Sequence, residues 1–197
     1  MLISNNEKKR LNSTKKYIDM LTEEHSKLNV IRVDLSYHGD NGKNITAEEA
    51  NKDMNRLFSN MRSKPSIFID KVGYVMKREY TEDKGMHFHA VFFFNGQKVL
   101  KDAHKADEIG AYWSKNITKE RGVYHNCNNS KYKNHGIGML EHRDSEKRKI
   151  LDTKVIAYLT KEEQTIAPIK ENKHTKSFTR GTIPRKKTKL GRPRIEK

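Results

Sequence analysis

Two histidines, His87 and His89, flank Phe88 in a run that continues through Ala90, Val91, Phe92, Phe93 and Phe94. Alternate residues of a β-strand point to opposite sides, so both imidazoles share one face while Met86, Phe88, Ala90, Phe92 and Phe94 line the other. A polar segment with a glycine, Thr81 to Gly85, separates this run from a second strand-like run over residues 66–80 and suits a hairpin loop. If that hairpin folds about Asp83, Glu79 falls opposite His87 with its carboxylate on the histidine face. Val72, Tyr74 and Met76 then fall on the apolar face. Two imidazoles and a carboxylate make a mixed nitrogen and oxygen donor set. It suits Mn²⁺, Mg²⁺ or another divalent cation and leaves positions open for a phosphate oxygen and water. A bare His-x-His also occurs on ordinary surface strands, and it is Glu79 in register that distinguishes this one.

A second constellation lies on a strongly helical stretch, Ser145 to Gln164, where Tyr158 and Lys161 stand three residues apart and share a face. A tyrosine phenol attacks a phosphodiester when a divalent metal polarises the phosphate and a nearby cation eases formation of the phenolate, whose ordinary pKa is about 10. Lys161 could be that cation, contact the phosphate, or protonate the leaving oxygen, and spacing does not choose among these. Leu151, Val155, Tyr158 and Leu159 also form an apolar stripe, so the tyrosine has a packing role available to it. Glu162, Glu163 and Gln164 in the following turns, and Asp34 on an earlier strand, are further groups that could approach the metal.

The elements that must position these groups follow from the periodicity. A helix is expected near Ser13–Leu28. In residues 30–38, Ile31, Val33, Leu35 and Tyr37 alternate with Arg32, Asp34, Ser36 and His38, giving a strand with Asp34 on its polar face. Thr46 and Glu49 have the spacing of a capping box and open a helix to about Met61, closed by Lys64-Pro65. A helical pattern follows the hairpin at residues 102–116, then a loop-rich stretch and a short strand at 136–140. Helices thus alternate with antiparallel strands, which predicts one α/β (α+β) sandwich, a central antiparallel sheet with helices over one face.

The chain has 197 residues, 41 Lys+Arg against 25 Asp+Glu, and a net charge of +16, which favours a polyanionic partner, nucleic acid first of all. The 28 residues from Lys170 to the end hold eleven Lys/Arg against two Glu, together with Pro184, Pro193, Gly181 and Gly191, and read as a flexible basic tail. The expected organisation is an N-terminal helical segment (1–28), a folded domain (29–168) and a DNA-binding tail (169–197). In that tail Arg185, Lys186, Lys187, Lys189, Arg192 and Arg194 would contact phosphates. Tyr112, Trp113 and Tyr124, near Lys115, Lys119 and Arg121, could stack unpaired bases, although a helical pattern makes Tyr112 and Trp113 core candidates. The lone Cys127 excludes an internal disulfide and a cysteine-based zinc site. No signal peptide and no apolar run of about 18 residues are seen, so a cytoplasmic protein without membrane insertion is expected.

In their order along the chain, the Ile31–Tyr37 strand, His87-Phe-His89 and Tyr158-Leu-Thr-Lys161 resemble the three motifs of the HUH endonuclease superfamily. More closely, Arg32-Val-Asp-Leu-Ser-Tyr37, Gly73-Tyr-Val-Met-Lys-Arg-Glu-Tyr80, Gly136-Ile-Gly-Met139 and Gly191-Arg-Pro-Arg194 look like the inovirus-type replication proteins with one catalytic tyrosine. The resemblance implies a ferredoxin- or RNA-recognition-like sheet that holds the metal on His87 and His89, with Glu79 as the acidic ligand. It also implies that Tyr158 cleaves a DNA strand and that Lys161 is the motif lysine. Position 162 is Glu rather than a second tyrosine, which argues for one nucleophile per chain. The implied function is nicking and joining of single-stranded or hairpin origin DNA in the bacterial cytoplasm to start rolling-circle replication of a phage, plasmid or related element. Because the chain has no Gly-x-x-x-x-Gly-Lys loop, a host helicase would be a separate partner, alongside a host DNA polymerase. A DNA-binding regulator without catalysis, or an HUH transposase or relaxase, are the rival readings. A two-histidine phosphoesterase would need a second His-x-Thr/Ser motif that His174-Thr-Lys176 does not supply.

Overall fold

The computed structural model describes residues 4–63, 65–131, 136–162 and 176–182. Helix α1 (Asn5–Glu24) starts earlier than the apolar spacing predicts, because a capping box fixes it: Glu7 N–H donates to Ser4 Oγ and Ser4 N–H to a Glu7 carboxylate oxygen. Strand β1 (Lys27–Tyr37) follows, then α2 (Gly39–Asn44) and α3 (Ala47–Ser63), the latter opened by the expected reciprocal bonds of Thr46 and Glu49. The short α4 (Pro65–Phe68) takes the first residues of what the sequence suggested as strand. The hairpin itself is β2 (Lys71–Thr81) and β3 (Gly85–Asn95). Next come α5 (Asp102–Tyr112) with a wide π turn over Trp113–Ile117, then β4 (Gly122–Asn126) and β5 (Gly138–Glu141). The last helical run is α6 (Ser145–Ile150), a π stretch at Leu151–Ile156 and α7 (Ala157–Thr160). β6 (Phe178–Arg180) closes the sheet.

All strand pairs are antiparallel, in the order β4-β1-β3-β2-β6, with β5 on β1 beside β4. Helices cover both faces, not one. On the first face Phe88, Ala90, Phe92 and Phe94 of β3 pack with Met54 and Leu57 of α3 and with Trp113, whose indole N–H donates to Ser36 O. On the second, Val91 and Phe93 pack with Tyr17, Ile18 and Leu21 of α1 and with Leu151, Ile156 and Leu159. Each fully buried Phe or Leu contributes about 1.5–3 kcal/mol, so two faces give β3 the largest share of the burial. Tyr112 and Trp113 are therefore core residues, 9% and 0% exposed, and do not stack bases. The segment set apart as residues 1–28 packs into this same body through α1. Part of the supposed tail does too, since β6 pairs Val75 with Arg180 and Lys77 with Phe178. Val72 also departs from its expected face. A register shift between Lys71 and Gly73 moves it to the second cluster, while Tyr74 and Met76 keep the first.

Tyr17 gives a measurable property of this packing. Burial pushes its phenol up to about 12, opposed by the Tyr74 N–H that its oxygen accepts. The unfolded chain releases this proton near pH 10, so stability present below that pH falls as the pH climbs to 12, by about 1.4 kcal/mol per unit. Urea melts between pH 9.5 and 11.5 should therefore show a steeper loss in the wild type than in Tyr17→Phe, roughly following that slope.

Candidate functional site

The second face of the sheet changes from apolar to polar at one level across three strands. In register, Val91 lies beside Arg32 on β1 and Val75 on β2, and the next residues on that face are His89, Asp34 and Lys77, with His89 directly opposite both of the others. One step further along the hairpin, His87 faces Glu79, the pairing expected from the sequence. The helices over this face end where the polar residues begin, and the last turn, α7, brings Tyr158 to that boundary.

Glu79 Oε2 is the hub. His89 Nε2 lies 3.0 Å from it, His87 Nε2 3.4 Å, and the Tyr158 hydroxyl, which donates to it, 3.3 Å. The Tyr158 hydroxyl is also 3.1 Å from His89 Nε2. The ligand atoms of Glu79, His87 and His89 all lie within 4.8 Å of one another, close enough to hold a metal ion. His87 Nδ1–H donates to Gly85 O at 3.0 Å, which turns Nε2 toward Glu79. Asp34 Oδ1 stands 2.9 Å from His89 Nδ1, off the line of a straight hydrogen bond, and His89 Nε2 likewise faces Glu79. Two imidazole nitrogens and a carboxylate converging on one point is a donor set that a divalent cation fits.

The electrostatics follow from these contacts. Hydrogen bonds from His87 and His89, then Lys77, hold the Glu79 carboxyl far below its ordinary range despite burial. Burial pulls the His89 pKa down, but Asp34 and Glu79 outweigh it and leave it raised. Burial also pushes Asp34 up, and His89 with Arg32 more than reverses that. Tyr158 is raised to about 12, by burial first and then by the Glu79 charge, with Arg32 opposing. Without a cation at the hub, the phenol keeps its proton.

Tyr158 resolves its two sequence readings by doing both: its ring packs on the second core while its hydroxyl reaches the histidines. Lys161 stands at the C-cap of α7, and among the described residues its side chain makes no hydrogen bond or ion pair with the cluster. The helix ends at Thr160, Lys161 has φ −58° and ψ 143°, and its exposed side chain contributes positive charge toward Glu7. Glu162 is likewise exposed, and its N–H donates to Glu7 Oε1 at 2.7 Å, so it is not brought to the cluster. Asp34 touches His89 rather than joining the three ligands. Gln164 and the tail residues Arg185, Lys186, Lys187, Lys189, Arg192 and Arg194 lie outside the described residues.

Two cations that sequence reasoning missed flank the Tyr158 ring. Lys77 Nζ lies 5.4 Å from the Tyr158 ring centre and 3.1 Å from Glu79 Oε1, and the residue is only 2% exposed. The Arg32 guanidinium lies 5.5 Å from the same ring centre and also reaches Asp34. The signal was present in the period of two. Lys77 precedes Glu79 by two residues, and Arg32 precedes Asp34 by two, so each shares the face of its acid.

A six-stranded antiparallel sheet with helices on both faces, carrying a His-His-Glu cluster touched by a tyrosine, defines an α+β domain with a candidate metal centre. The chain belongs to the YagK/YfjJ C-terminal domain family, whose profile matches residues 4–181. No curated protein and no solved structure gave a match. Among the described residues, no helix is long and apolar enough to cross a membrane.

Proposed function

We propose that this domain nicks and rejoins single-stranded DNA through a covalent phosphotyrosine, as a metal-dependent HUH-type endonuclease that starts rolling-circle replication of a mobile element. One observation carries this reading: the Tyr158 hydroxyl stands within 3.3 Å of two of three groups able to hold a divalent cation. A buried tyrosine hydroxyl ordinarily finds a polar partner, and here both partners belong to the candidate metal centre.

Glu79, His87 and His89 would hold Mn²⁺ or Mg²⁺, which when bound supplies Lewis-acid polarisation of the scissile phosphate and offsets the Glu79 charge that keeps Tyr158 protonated. Lys77 and Arg32 flank the ring and favour the phenolate. The Tyr158 oxygen then forms a bond to phosphorus as the bond to the 3′-oxygen breaks, leaving a 5′-phosphotyrosine and a 3′-hydroxyl. One ester replaces another, so the linkage is kept for rejoining without ATP. The free hydroxyl can prime a host polymerase, with a separate helicase displacing the strand. The net charge of +16 supports a polyanionic substrate and implies steeply salt-dependent binding.

The test is incubation of the protein with Mn²⁺ or Mg²⁺ and labelled single-stranded segments of its own element, read as a protein–DNA adduct on a denaturing gel. An adduct that needs metal supports the nuclease. Salt-sensitive binding with no adduct anywhere along the origin strand would favour a DNA-binding regulator instead. Adducts on transposon-end or transfer-origin strands, but not on a replication origin, would reassign the same chemistry to transposition or mobilisation. The two lysines give a sharper expectation: Lys77→Met should slow adduct formation about a hundredfold, the usual scale for one lost electrostatic contact, and Lys161→Met about twofold. Equal losses would return Lys161 to the site.

A further inference from the structure

We propose that a second cavity, where α3 and the first residues of β2 meet β6, is a nucleotide-binding subsite. It takes a phosphate on Arg62, Lys71 and Arg180 and a base against Tyr74 and Phe58. This site needs neither metal nor Tyr158 and stands apart from the cleavage proposed above.

The cavity measures about 330 Å³, the lower end of the range for small-ligand sites. Three cations line it and no carboxylate does; among the described residues none of the three has an acidic partner. A concave surface with uncompensated positive charge attracts an anion. Lys71 is partly buried there, and burial pulls its ammonium pKa down, so a bound anion would relieve a real cost. Arg180 is held in place by hydrogen bonds to Gly181 O and Ser13 Oγ and by its stacking over Tyr17, with no carboxylate partner among the described residues.

The aromatic side argues for a nucleotide over a bare anion. The rings of Phe58 and Tyr74 lie 5.5 Å apart, tilted at 43°, both only partly buried, and line the cavity beside the cations, with Lys71 Nζ 5.5 Å from the Tyr74 ring centre. Aromatic surface next to positive charge is how unpaired bases are held without sequence readout. The floor is built with care for space: a Cβ at Gly73 would come 2.5 Å from the Tyr17 hydroxyl oxygen, and one at Gly181 2.2 Å. Only glycine on both strands lets that hydroxyl reach the cavity. It accepts from Tyr74 N–H and keeps its own proton to donate.

Six residues of strand separate Gly73 from Glu79, roughly 20 Å at about 3.3 Å per residue. The two sites are therefore separately addressable by mutation. The ligand's shared chemistry is a phosphate with a base, whether free or within a strand, and the experiment separates these sources. Binding of dTMP and of short oligothymidylate to the full chain is measured by equilibrium dialysis in EDTA, with inorganic phosphate as competitor. The comparison is wild type against Arg62→Gln/Lys71→Gln, with Lys101→Gln/Lys154→Gln as a control of equal charge change, and Glu79→Gln. A tenfold or greater loss confined to Arg62→Gln/Lys71→Gln, for either probe, supports the subsite, and the probe that binds identifies the source. The single variant Arg62→Gln, at an exposed position, guards against misfolding and should lose part of the same affinity. No binding of either probe, equal losses in the control, or loss only with Glu79→Gln would overturn it. None of these outcomes depends on adduct formation, so failure here leaves the cleavage reading to its own test.

Discussion

Tyr158→Phe should eliminate the proposed covalent protein–DNA adduct, by at least about a thousandfold, while the protein should remain folded and bind DNA with the same salt dependence. The size of the effect follows from the role. Phenylalanine keeps the ring that packs on Leu159 and Ile156 and its contacts to Arg32, Lys77 and His89, but removes the one oxygen able to form the phosphotyrosine. Stability should change by no more than about 1 kcal/mol, since the lost hydroxyl donates one hydrogen bond to a carboxylate that retains His87, His89 and Lys77. The measurement pairs the denaturing-gel adduct assay with a urea melt of the same preparation. Retention of the adduct in Tyr158→Phe would remove Tyr158 as nucleophile, whatever else the site does.

The second large effect is on metal affinity. Mn²⁺ titrated calorimetrically should bind the wild type at one site, and His89→Ala or Glu79→Gln should weaken that binding at least about a hundredfold, because each would remove one of the three candidate ligands among the described residues. Asp34→Asn should weaken it less, about tenfold, because Asp34 orients the His89 ring from 2.9 Å away without reaching the ion position. At a hundred times its dissociation constant the ion should add about 2.7 kcal/mol to stability. In a chain of this length that raises the melting temperature by roughly 5–10 °C. The shift should vanish on chelation and be absent in Glu79→Gln. A shift of the same size in Glu79→Gln would locate the metal elsewhere.

Alternation with a period of two placed Glu79 with the histidines and Phe88 on the opposite side, because pleating ties side-chain direction to residue number, and a hairpin centred on Asp83 gave the facing of Glu79 and His87. The capping box at Thr46 and the core role of Trp113 were legible for the same reason: both are local patterns. Tertiary structure decided the rest. Whether Tyr158 meets the histidines depends on where a helix with a π stretch crosses the sheet, which contacts such as Arg148 with Asp19 of α1 help to fix across a long sequence separation. The helix ends at Thr160 with Lys161 as its exposed C-cap, while Lys77 reaches the Tyr158 ring from a strand, a contact no local spacing encodes. The second helical layer was legible only in part: the uninterrupted run Ala90–Phe94 of β3 is what a strand buried on both sides shows, but it does not say which helices cover it. The sequence by itself determined which groups share a face along β1, β3 and β2 beyond the irregularity at Lys71–Gly73. Only the packing of distant elements, which no local period encodes, determined which of those groups meet.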